Sequence, residues 1–572
     1  MDTRTMTGAE TFLRQLGVMG VKHIFASPGS EWSPVWEHLA KPYEAPGTIP
    51  AYHSSRHEET AIAMASGYAK VTGQLPAVMI HTTVGALHGA MAMRGALQEN
   101  IPMVIFAGES VGFGDEDGPD PGSQWLRSLG DVGGPARLVA PCVKWSYGVN
   151  SKAAFPGIVQ RACQIAMAAP RGPVFISLPM EMLFDVMANN APATAATPMR
   201  AIANPRGITQ AANMLAAAKQ PVIITERAGV NASAVRALTE IATLLAAPVV
   251  EGRAAGFVNF PRNHPLHAGF DPLPIIKDAD VIFMPAITAP WHPPSAAPGA
   301  NTKVILLDDN PLRLEKPMWN FPSSLCLAGE IEESLEALLA QLRTRVREGE
   351  PTRVAARARW GEQNAARRAG WAADATAKRD QVPMDTRWVV HEMNQILPAD
   401  AIVVDETITH HEPIMRGLDR LGVGGYYSGF VGGLGTGLGT ALGVKTANPN
   451  RPVIMVIGDG SFNYNPITPA LGFAQEHKTP IMIVLFNNQG YLSQQQEIPK
   501  YYPQGFAVKA HNFSGTSIQP CPEYAGLATL FGGYGEKVET PGAIRPAFER
   551  GLAALAKGQL VLLDLRLVPV PA

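Results

Sequence analysis

The chain has 572 residues, 46% of them hydrophobic and 17% charged, which is typical of a globular protein with about three or four domains. Its formal net charge of −2 provides no overall basic field to hold nucleic acid or an anionic membrane. The four cysteines form no CxxC pair, no apolar stretch of about 20 residues could span a bilayer, and the first residues do not read as a signal peptide, so a cytoplasmic protein without a zinc site is the default expectation.

The first block of the chain alternates short apolar runs with helix-like segments. Its predicted strands lie at 23–26, 77–80, 102–106 and 174–179, and its predicted helices include 58–72 and 86–98. Buried apolar strands separated by helices predict βαβ units and a parallel sheet.

Two further α/β blocks follow. Strands are predicted at 221–224, 281–284 and 303–307 in the second, and at 401–404, 453–457, 480–486 and 559–565 in the third. We therefore predict an α/β protein with three doubly wound parallel-sheet domains at 1–190, 200–345 and 386–572, with a helical linker at 346–385. The first and third blocks share a strand–glycine loop–helix plan, which suggests an old duplication.

A glycine-rich polar stretch follows one buried strand of the third block. Gly458 and Gly460 allow a ligand to approach the backbone closely, and Asp459 supplies a hard carboxylate oxygen. Backbone N–H groups from Ser461 onward, at the start of the next helix, suit phosphate oxygens. Asn488 follows the next strand and adds an amide oxygen. With phosphate and water, these oxygens are typical ligands of Mg²⁺, whereas a GDG alone would fit an ordinary turn.

GDG, followed about two dozen residues later by NN, resembles the pyrophosphate motif of thiamine-diphosphate-dependent enzymes. The resemblance is to the acetolactate synthase / benzoylformate decarboxylase group and extends over nearly the whole chain. It implies that the first domain binds the aminopyrimidine, the middle one serves structure or a nucleotide, and the third binds the pyrophosphate. It also implies that Asp459, Asn488 and the carbonyl of Gly490 hold Mg²⁺, and that Tyr491 belongs to the cofactor site.

The segment from Ser55 to Thr60, leading into Gly67-Tyr68, resembles the HEQ/HEA…GYA pattern of the family. The spacing to Gly67 selects Glu58 as the carboxylate that activates the cofactor by hydrogen bonding to its aminopyrimidine ring. Burial suits such a group, because desolvation raises the pKa of a carboxyl. Glu59 fits an acidic residue in the first turn of a helix.

A glycine-rich loop at 426–435 resembles the YY…GGLG segment of benzoylformate decarboxylases and is not a dinucleotide-binding fingerprint. By this resemblance, the carbonyl of Gly432 contacts the aminopyrimidine amine, and Leu434 is the apolar wedge that bends the cofactor. Ordinary helix–sheet packing remains the alternative. Thr407, after another strand, is a candidate contact of the diphosphate.

Three positions resemble the substrate side of benzoylformate decarboxylases. Ser30 follows the first long strand, His81 ends another, and His292 follows a strand of the middle block. A serine hydroxyl can hold a substrate carboxylate, and an imidazole can move protons. Each could also be an ordinary polar loop residue. Gln124 is a further candidate to line the site.

The chain departs from the family at several points. The Gly-rich turn that acetolactate synthases link to FAD is replaced by 225–229, TERAG, which makes FAD doubtful. His88 stands where family members often have Asn, and a polar segment at 497–522 is a candidate lid.

These resemblances imply a thiamine-diphosphate- and Mg²⁺-dependent carbon–carbon lyase or transferase. The favoured reaction is decarboxylation of a 2-oxo acid with acyloin-forming capacity, of the benzoylformate decarboxylase type. Two alternatives stay open: an acetolactate-synthase-type carboligase, and a lyase or hydrolase of a 2-hydroxy ketone or dione. The resemblance implies a homodimer or homotetramer with active sites at the subunit interface, and no nucleic acid or membrane partner.

Overall fold

The computed structural model describes residues 5–43, 45–112, 118–128, 131, 133–187, 194–252, 255–347, 349–429 and 433–568. They divide into two compact units. The first comprises Met1–Pro198, Val431–Asn450 and Asn463–Pro480, and the second comprises Met199–Phe430, Arg451–Phe462 and Ile481–Ala572. No helix in the described ranges combines the length and hydropathy needed to cross a bilayer.

The first sheet has six parallel strands around an apolar core. In chain order the strands of this region are β1 (Met6–Thr7), β2 (His23–Ser27), β3 (Ala51–Ser54), β4 (Ala77–Ile80), β5 (Met103–Glu109), β6 (Trp145–Gly148), β7 (Pro173–Pro179) and β8 (Val186–Met187). The helices are α1 (Gly8–Val18), α2 (Ser33–Leu39), α3 (Glu58–Thr72), α4 (Thr82–Gln98), α5 (Ser123–Ser128), α6 (Pro135–Leu138), α7 (Phe155–Met167) and α8 (Met180–Phe184). The sheet order is β3-β2-β4-β5-β7-β6, and β1 pairs with β8 as a separate antiparallel pair.

The middle sheet has five parallel strands in the order β10-β9-β11-β12-β13. Its strands are β9 (Pro221–Thr225), β10 (Val249–Glu251), β11 (Val281–Pro285), β12 (Lys303–Asp308) and β13 (Leu325–Ala328). Its helices are α9 (Pro205–Ala217), α10 (Ala232–Leu245), α11 (Leu273–Ile276) and α12 (Ile331–Arg343). The predicted linker contains one long helix, α13 (Pro351–Thr376).

The third sheet again has six parallel strands, in the order β15-β14-β16-β17-β19-β18. They are β14 (Ile402–Glu406), β15 (Tyr426–Ser428), β16 (Val453–Gly458), β17 (Met482–Asn487), β18 (Tyr534–Val538) and β19 (Val561–Arg566). The helices in this part of the sequence are α14 (Thr386–Ile396), α15 (His411–Gly417), α16 (Gly437–Ala447), α17 (Asp459–Tyr464), α18 (Ile467–Glu476), α19 (Leu492–Tyr501), α20 (Phe506–Ala510), α21 (Ala525–Leu530) and α22 (Ile544–Ala556).

The first and third sheets have the same topology. If the six strands of each are numbered in chain order, both follow 2-1-3-4-6-5. This identity supports the duplication suggested by the sequence, and the predicted class of three parallel-sheet α/β domains is confirmed. The domain boundaries stay a prediction.

Helices α3 and α16 pack closely in the first unit. A Cβ on Gly67 of α3 would lie 2.1 Å from the carbonyl oxygen of Thr440, and one on Gly443 of α16 would lie 2.0 Å from that of Met64. Only glycine allows backbones to approach this closely. The glycine of the predicted GYA motif therefore has a packing role, and it fixes the helix that begins at Glu58.

Candidate active site

Ser30, Glu31 and His81 lie together at the carboxyl edge of the first sheet. A short 3-10 turn, Ser30–Trp32, follows β2, and His81 follows β4. The Nδ1 atom of His81 lies 2.8 Å from Oε2 of Glu31, which is fully buried. Because a carboxylate accepts hydrogen bonds, this contact places a proton on Nδ1 and leaves Nε2 for other partners.

Two neighbours hold this arrangement in place. A Cβ on Gly29 would lie 2.0 Å from Nδ1 of His81 and 2.5 Å from Oε2 of Glu31, so any larger residue would separate the pair. Nε2 of the buried Gln124 donates to Oγ of Ser30 at 2.7 Å and lies 3.5 Å from Oε2 of Glu31. The structure thus brings Ser30, His81 and Gln124 together around a carboxylate.

Glu58 is the first residue of α3 and is largely buried. Its Oε2 lies 3.2 Å from Nδ1 of His88 on α4. A Cβ on Gly85 would come within 3.2 Å of Oε1, so this glycine leaves space beside the second carboxylate oxygen. The carboxylate therefore has one oxygen bound to an imidazole and the other beside Gly85, where any side chain would crowd it.

His57, Glu58 and His88 place ligand atoms within 4.8 Å of one another, close enough in principle for a metal ion. However, Nδ1 of His57 accepts the N–H of Glu59 at 3.2 Å and caps α3. Burial lowers the pKa of His57, and His88 lowers it further, although Glu58 acts against both. The neutral ring then carries its proton on Nε2, which makes it a poor metal ligand.

Asp459, Asn488 and Gly490 converge in the second unit. The N–H of Gly490 donates to Oδ2 of Asp459 at 3.1 Å and to Oδ1 of Asn488 at 3.2 Å. Burial raises the pKa of Asp459 to about 7, against the lowering effect of the backbone N–H groups around it. No ion pair to Asp459 is found among the described residues. A buried carboxylate in that setting suits a bound cation, and the oxygen donor set is one that Mg²⁺ uses.

The glycines around Asp459 have different roles. A Cβ on Gly460 would lie 2.9 Å from the ring of Tyr491, so the aromatic ring requires this glycine. A Cβ on Gly458 would meet no atom within 4 Å, and the space beside it is open to a ligand. The strand β16 runs directly into α17, and Ser461 is buried in the first turn of this helix.

His410 orients the side chain of Asn488. Nδ2 of Asn488 lies 3.4 Å from Nε2 of His410, and Nδ1 of His410 lies 2.8 Å from Oγ1 of Thr386. Burial lowers the pKa of His410 to about 4, so its Nε2 can accept the amide proton. The amide oxygen of Asn488 is thereby directed away from His410, as a metal ligand requires.

Thr407 is buried, and both of its hydrogen-bond donors are used by Asp405. Its N–H lies 2.8 Å from Oδ1 of that carboxylate, and its hydroxyl lies 2.7 Å from the same atom. Asp405 also accepts the hydroxyl of Tyr426 at 2.7 Å. This geometry leaves Thr407 no donor for a diphosphate in the conformation described, and its predicted contact stays a prediction.

Gly432 lies outside the described residues. Leu434 is half-buried in the segment before α16, and His292 is exposed in the loop after β11. Among the described residues, no hydrogen bond to the His292 side chain is found. The predicted roles of these three residues stay predictions.

The switch point of the middle sheet lies between β9 and β11, where ligands bind in such folds. There Oε2 of the buried Glu226 accepts the N–H of Thr288 at 2.6 Å and that of Ala289 at 3.0 Å. Arg227 beside it donates to both carboxylate oxygens of Asp308. These two backbone N–H groups at the switch point are thus bound by the chain's own carboxylate.

Sequence reasoning missed the contribution of Glu31. This acidic residue follows the candidate Ser30 directly, two positions after Gly29, and that placement was the available signal. His410 was also missed, because nothing in the sequence relates it to Asn488, 78 residues further along the chain.

Comparison with known proteins finds matches to one family along the chain. The chain matches the thiamine pyrophosphate enzyme N-terminal TPP binding domain over residues 6–112, the central domain over 208–338 and the C-terminal TPP binding domain over 416–565. It is 27% identical to a probable acetolactate synthase of Mycobacterium bovis over 563 residues, covering 96% of this chain and 94% of that protein.

Decarboxylases are also among the similar proteins. The chain is 26% identical over 494 residues to benzoylformate decarboxylase of Pseudomonas aeruginosa, covering 82% of this chain and 84% of that protein. The crystal structure of benzoylformate decarboxylase from Polynucleobacter necessarius has the same fold, with a TM-score of 0.78 at 20% identity and 98% of both chains covered.

Proposed function

The chain belongs to the thiamine pyrophosphate enzyme family, and from that premise we propose that it is a 2-oxo acid decarboxylase able to join its product to a second carbonyl compound. The observation that carries the proposal is the contact of His81 with the buried Glu31, beside Ser30 and Gln124. Thiamine diphosphate, when bound, supplies the nucleophilic carbon and the electron sink for cleaving a bond next to a carbonyl.

Ser30 is suited to bind the carboxylate of a 2-oxo acid. Its Oγ accepts a hydrogen bond from Gln124 at 2.7 Å, so its own hydroxyl proton is free to point elsewhere. The Ser30 side chain is exposed in the single chain, at the sheet edge where substrates of this fold bind. A hydroxyl with this orientation donates to a carboxylate and positions the bond that breaks.

His81 is suited to hold and move a proton after the carboxylate leaves. Glu31 fixes the Nδ1–H tautomer of the His81 ring by accepting its proton in a hydrogen bond. Nε2 is then the atom that delivers a proton to the product and recovers one in the next cycle. Transfer of the decarboxylated product fragment to a second carbonyl compound competes with its protonation. The same residues therefore also allow acyloin formation.

Glu58 would serve as the proton partner of the aminopyrimidine ring of bound thiamine diphosphate, and Asp459, Asn488 and the Gly490 carbonyl would hold its diphosphate through Mg²⁺. The buried Asp459 carboxylate and the open space beside Gly458 suit this role. Mg²⁺ removal by a chelator is therefore expected to abolish cofactor binding and activity.

FAD is not expected in the middle domain. Glu226 occupies the backbone N–H groups of Thr288 and Ala289 at the switch point, and its negative charge there repels a phosphate. The absorbance spectrum of the purified protein checks this: a flavin band released on denaturation would contradict it and favour the acetolactate-synthase-type alternative.

A second copy of the chain is expected to complete the active site. Helix α4 exposes Val84 (48%) and Leu87 (54%), which lie three residues apart and share one face beside His88. An apolar face next to the candidate site suits a homodimer or homotetramer interface. Sedimentation velocity measures the oligomeric state.

The reaction is tested with a panel of 2-oxo acids, with and without thiamine diphosphate and Mg²⁺, measuring CO₂, aldehyde and acyloin. We expect cofactor-dependent CO₂ release and loss of activity in Glu58→Gln. Acetolactate as the main product from pyruvate would support the carboligase instead. Cleavage of 2-hydroxy ketones or diones without CO₂ release would overturn decarboxylation in favour of a lyase or hydrolase.

A further inference from the structure

Glu58 has a defined hydrogen-bond partner. Among the described residues, the hydrogen bond to its carboxylate comes from Nδ1 of His88, 3.2 Å from Oε2. Oε1 lies on the side where Gly85 has no side chain. Because the carboxylate can only accept while it is ionised, Nδ1 of His88 carries the proton. The two oxygens of Glu58 are therefore distinguished by their surroundings.

The ring of His88 stacks on the ring of His57. The two imidazoles stack with their centroids 5.5 Å apart and an interplanar angle of 11°. His57 is itself anchored, because its Nδ1 accepts the N–H of Glu59 at the start of the same helix that carries Glu58. Helix α3 thus fixes the ring of His57, and the ring of His88 stacks on it while its own Nδ1 binds the carboxylate of Glu58.

We propose that His88 is the positioning residue of Glu58: it binds Oε2, fixes the carboxylate rotamer and presents Oε1 to the aminopyrimidine ring of the cofactor. This inference rests on the proposed function, because it assigns Glu58 the role of proton partner. A carboxylate free to rotate on three side-chain torsions would spend part of its time turned away from the ring nitrogen, and proton exchange would slow accordingly.

His88 also differs chemically from the Asn that family members often have at this position. The amide of Asn offers one neutral donor of similar reach, so His88→Asn conserves the hydrogen bond. His88→Leu keeps the bulk that packs against His57 and removes the donor. Because 61% of the His88 side chain is exposed, neither change disturbs a core.

The matched control is His57→Asn. An Asn side-chain oxygen still caps α3 by accepting the N–H of Glu59, so this variant removes one imidazole of the stack and keeps the bond from His88 to Glu58. If the rate of C2 proton exchange falls in His88→Leu but not in His57→Asn, the effect comes from the lost hydrogen bond. It does not come from the loss of an imidazole ring in general.

The test uses the full-length protein reconstituted with thiamine diphosphate and Mg²⁺. Exchange of the cofactor C2 proton for deuterium is measured by quenched-flow NMR in the absence of substrate, and cofactor affinity by intrinsic fluorescence. We expect His88→Leu to slow exchange about tenfold or more, as loss of a hydrogen bond to a charged group implies. His88→Asn and His57→Asn should stay within about threefold of the wild-type rate.

Each outcome decides one point. Exchange at the wild-type rate in a folded His88→Leu variant, or an equal slowing in His57→Asn, overturns the positioning role. Equal exchange in wild type and Glu58→Gln overturns both this inference and the role of Glu58 in the proposed function. Glu58- and His88-dependent exchange without turnover of any 2-oxo acid supports the positioning role and overturns the decarboxylase proposal alone.

Discussion

Replacing Glu31 by Gln tests whether the buried carboxylate acts through His81. Both oxygens of Glu31 accept hydrogen bonds: Oε1 from the N–H of Gly29 at 3.3 Å, and Oε2 from Nδ1 of His81 at 2.8 Å. The side-chain amide of Gln has one accepting oxygen and one donating NH₂ group. Either the N–H of Gly29 or Nδ1–H of His81 must therefore face the NH₂ group, which is another donor. If the NH₂ group faces His81, the imidazole is forced into the tautomer with its proton on Nε2.

The size of the effect follows from this geometry. General acid–base catalysis by a positioned side chain contributes about 10²- to 10⁴-fold, and the variant retains the imidazole but loses its fixed tautomer and countercharge. We expect kcat to fall about 10- to 100-fold, with KM changed by less than about threefold because Ser30 and Gln124 remain. Facing a buried donor with another donor should also destabilise the fold by about 1–3 kcal/mol.

Steady-state decarboxylation measured by aldehyde release, combined with urea unfolding, checks both numbers. The control is a double-mutant cycle with His81→Asn: if the carboxylate acts through the imidazole, Glu31→Gln should have little further effect on kcat in that background. Wild-type kcat in Glu31→Gln, or effects of the two substitutions that simply multiply, would refute the reasoning.

Three further predictions concern other parts of the molecule. Asp459→Asn removes a buried carboxylate, so the melting temperature of the cofactor-free protein should stay unchanged or rise. The stabilisation of the wild type by thiamine diphosphate and Mg²⁺, about 2.7 kcal/mol at ligand concentrations of 100 times Kd, should disappear in this variant. Persistent stabilisation of the variant in differential scanning fluorimetry would contradict this. Gly67→Ala should destabilise the fold by about 1–3 kcal/mol in urea unfolding, because the added Cβ would meet the carbonyl of Thr440. As a control, Gly370→Ala at an exposed position of α13 should stabilise the fold by about 0.5–1 kcal/mol. Equal effects of the two substitutions would refute the packing argument. Burial lowers the pKa of His53 to about 4, so between about pH 6.5 and about pH 4 the unfolded chain binds a proton at this side chain more readily than the folded chain does. The free energy of unfolding should therefore fall by up to about 3 kcal/mol as the pH falls over this range. The loss should be smaller in His53→Phe, and an unchanged pH dependence in this variant would show that another group is responsible.

The pattern of correct and missed strands has a physical cause. The sequence predicted the interior strands of all three sheets, such as 77–80 and 453–457, because strands covered on both faces are continuous apolar runs. In these three sheets the six strands that it missed are the edges: β3, β6, β10, β13, β15 and β18. An edge strand is paired on one side only, and these are either three residues long or partly exposed. All of them except β13 include polar residues, which interrupt the apolar run.

The candidate cofactor-binding residues could be proposed in the same way, because they form short motifs whose spacing is set by one strand and one turn. Asp459 lies directly after β16, and its partner Asn488 lies directly after the neighbouring strand β17. The sequence alone therefore determined the family, the class of fold and the candidate metal ligands, because local order along the chain decides each of them.

Tertiary structure decided which side chains act on these candidates. His81 and Glu31 are 50 residues apart and meet because β2 and β4 are adjacent parallel strands whose carboxyl ends share one edge. His88 reaches Glu58 because α4 packs against α3. Such contacts depend on distances between separate elements, which no local pattern of residue types encodes, and they determine the tautomers, rotamers and charges on which the proposed chemistry depends.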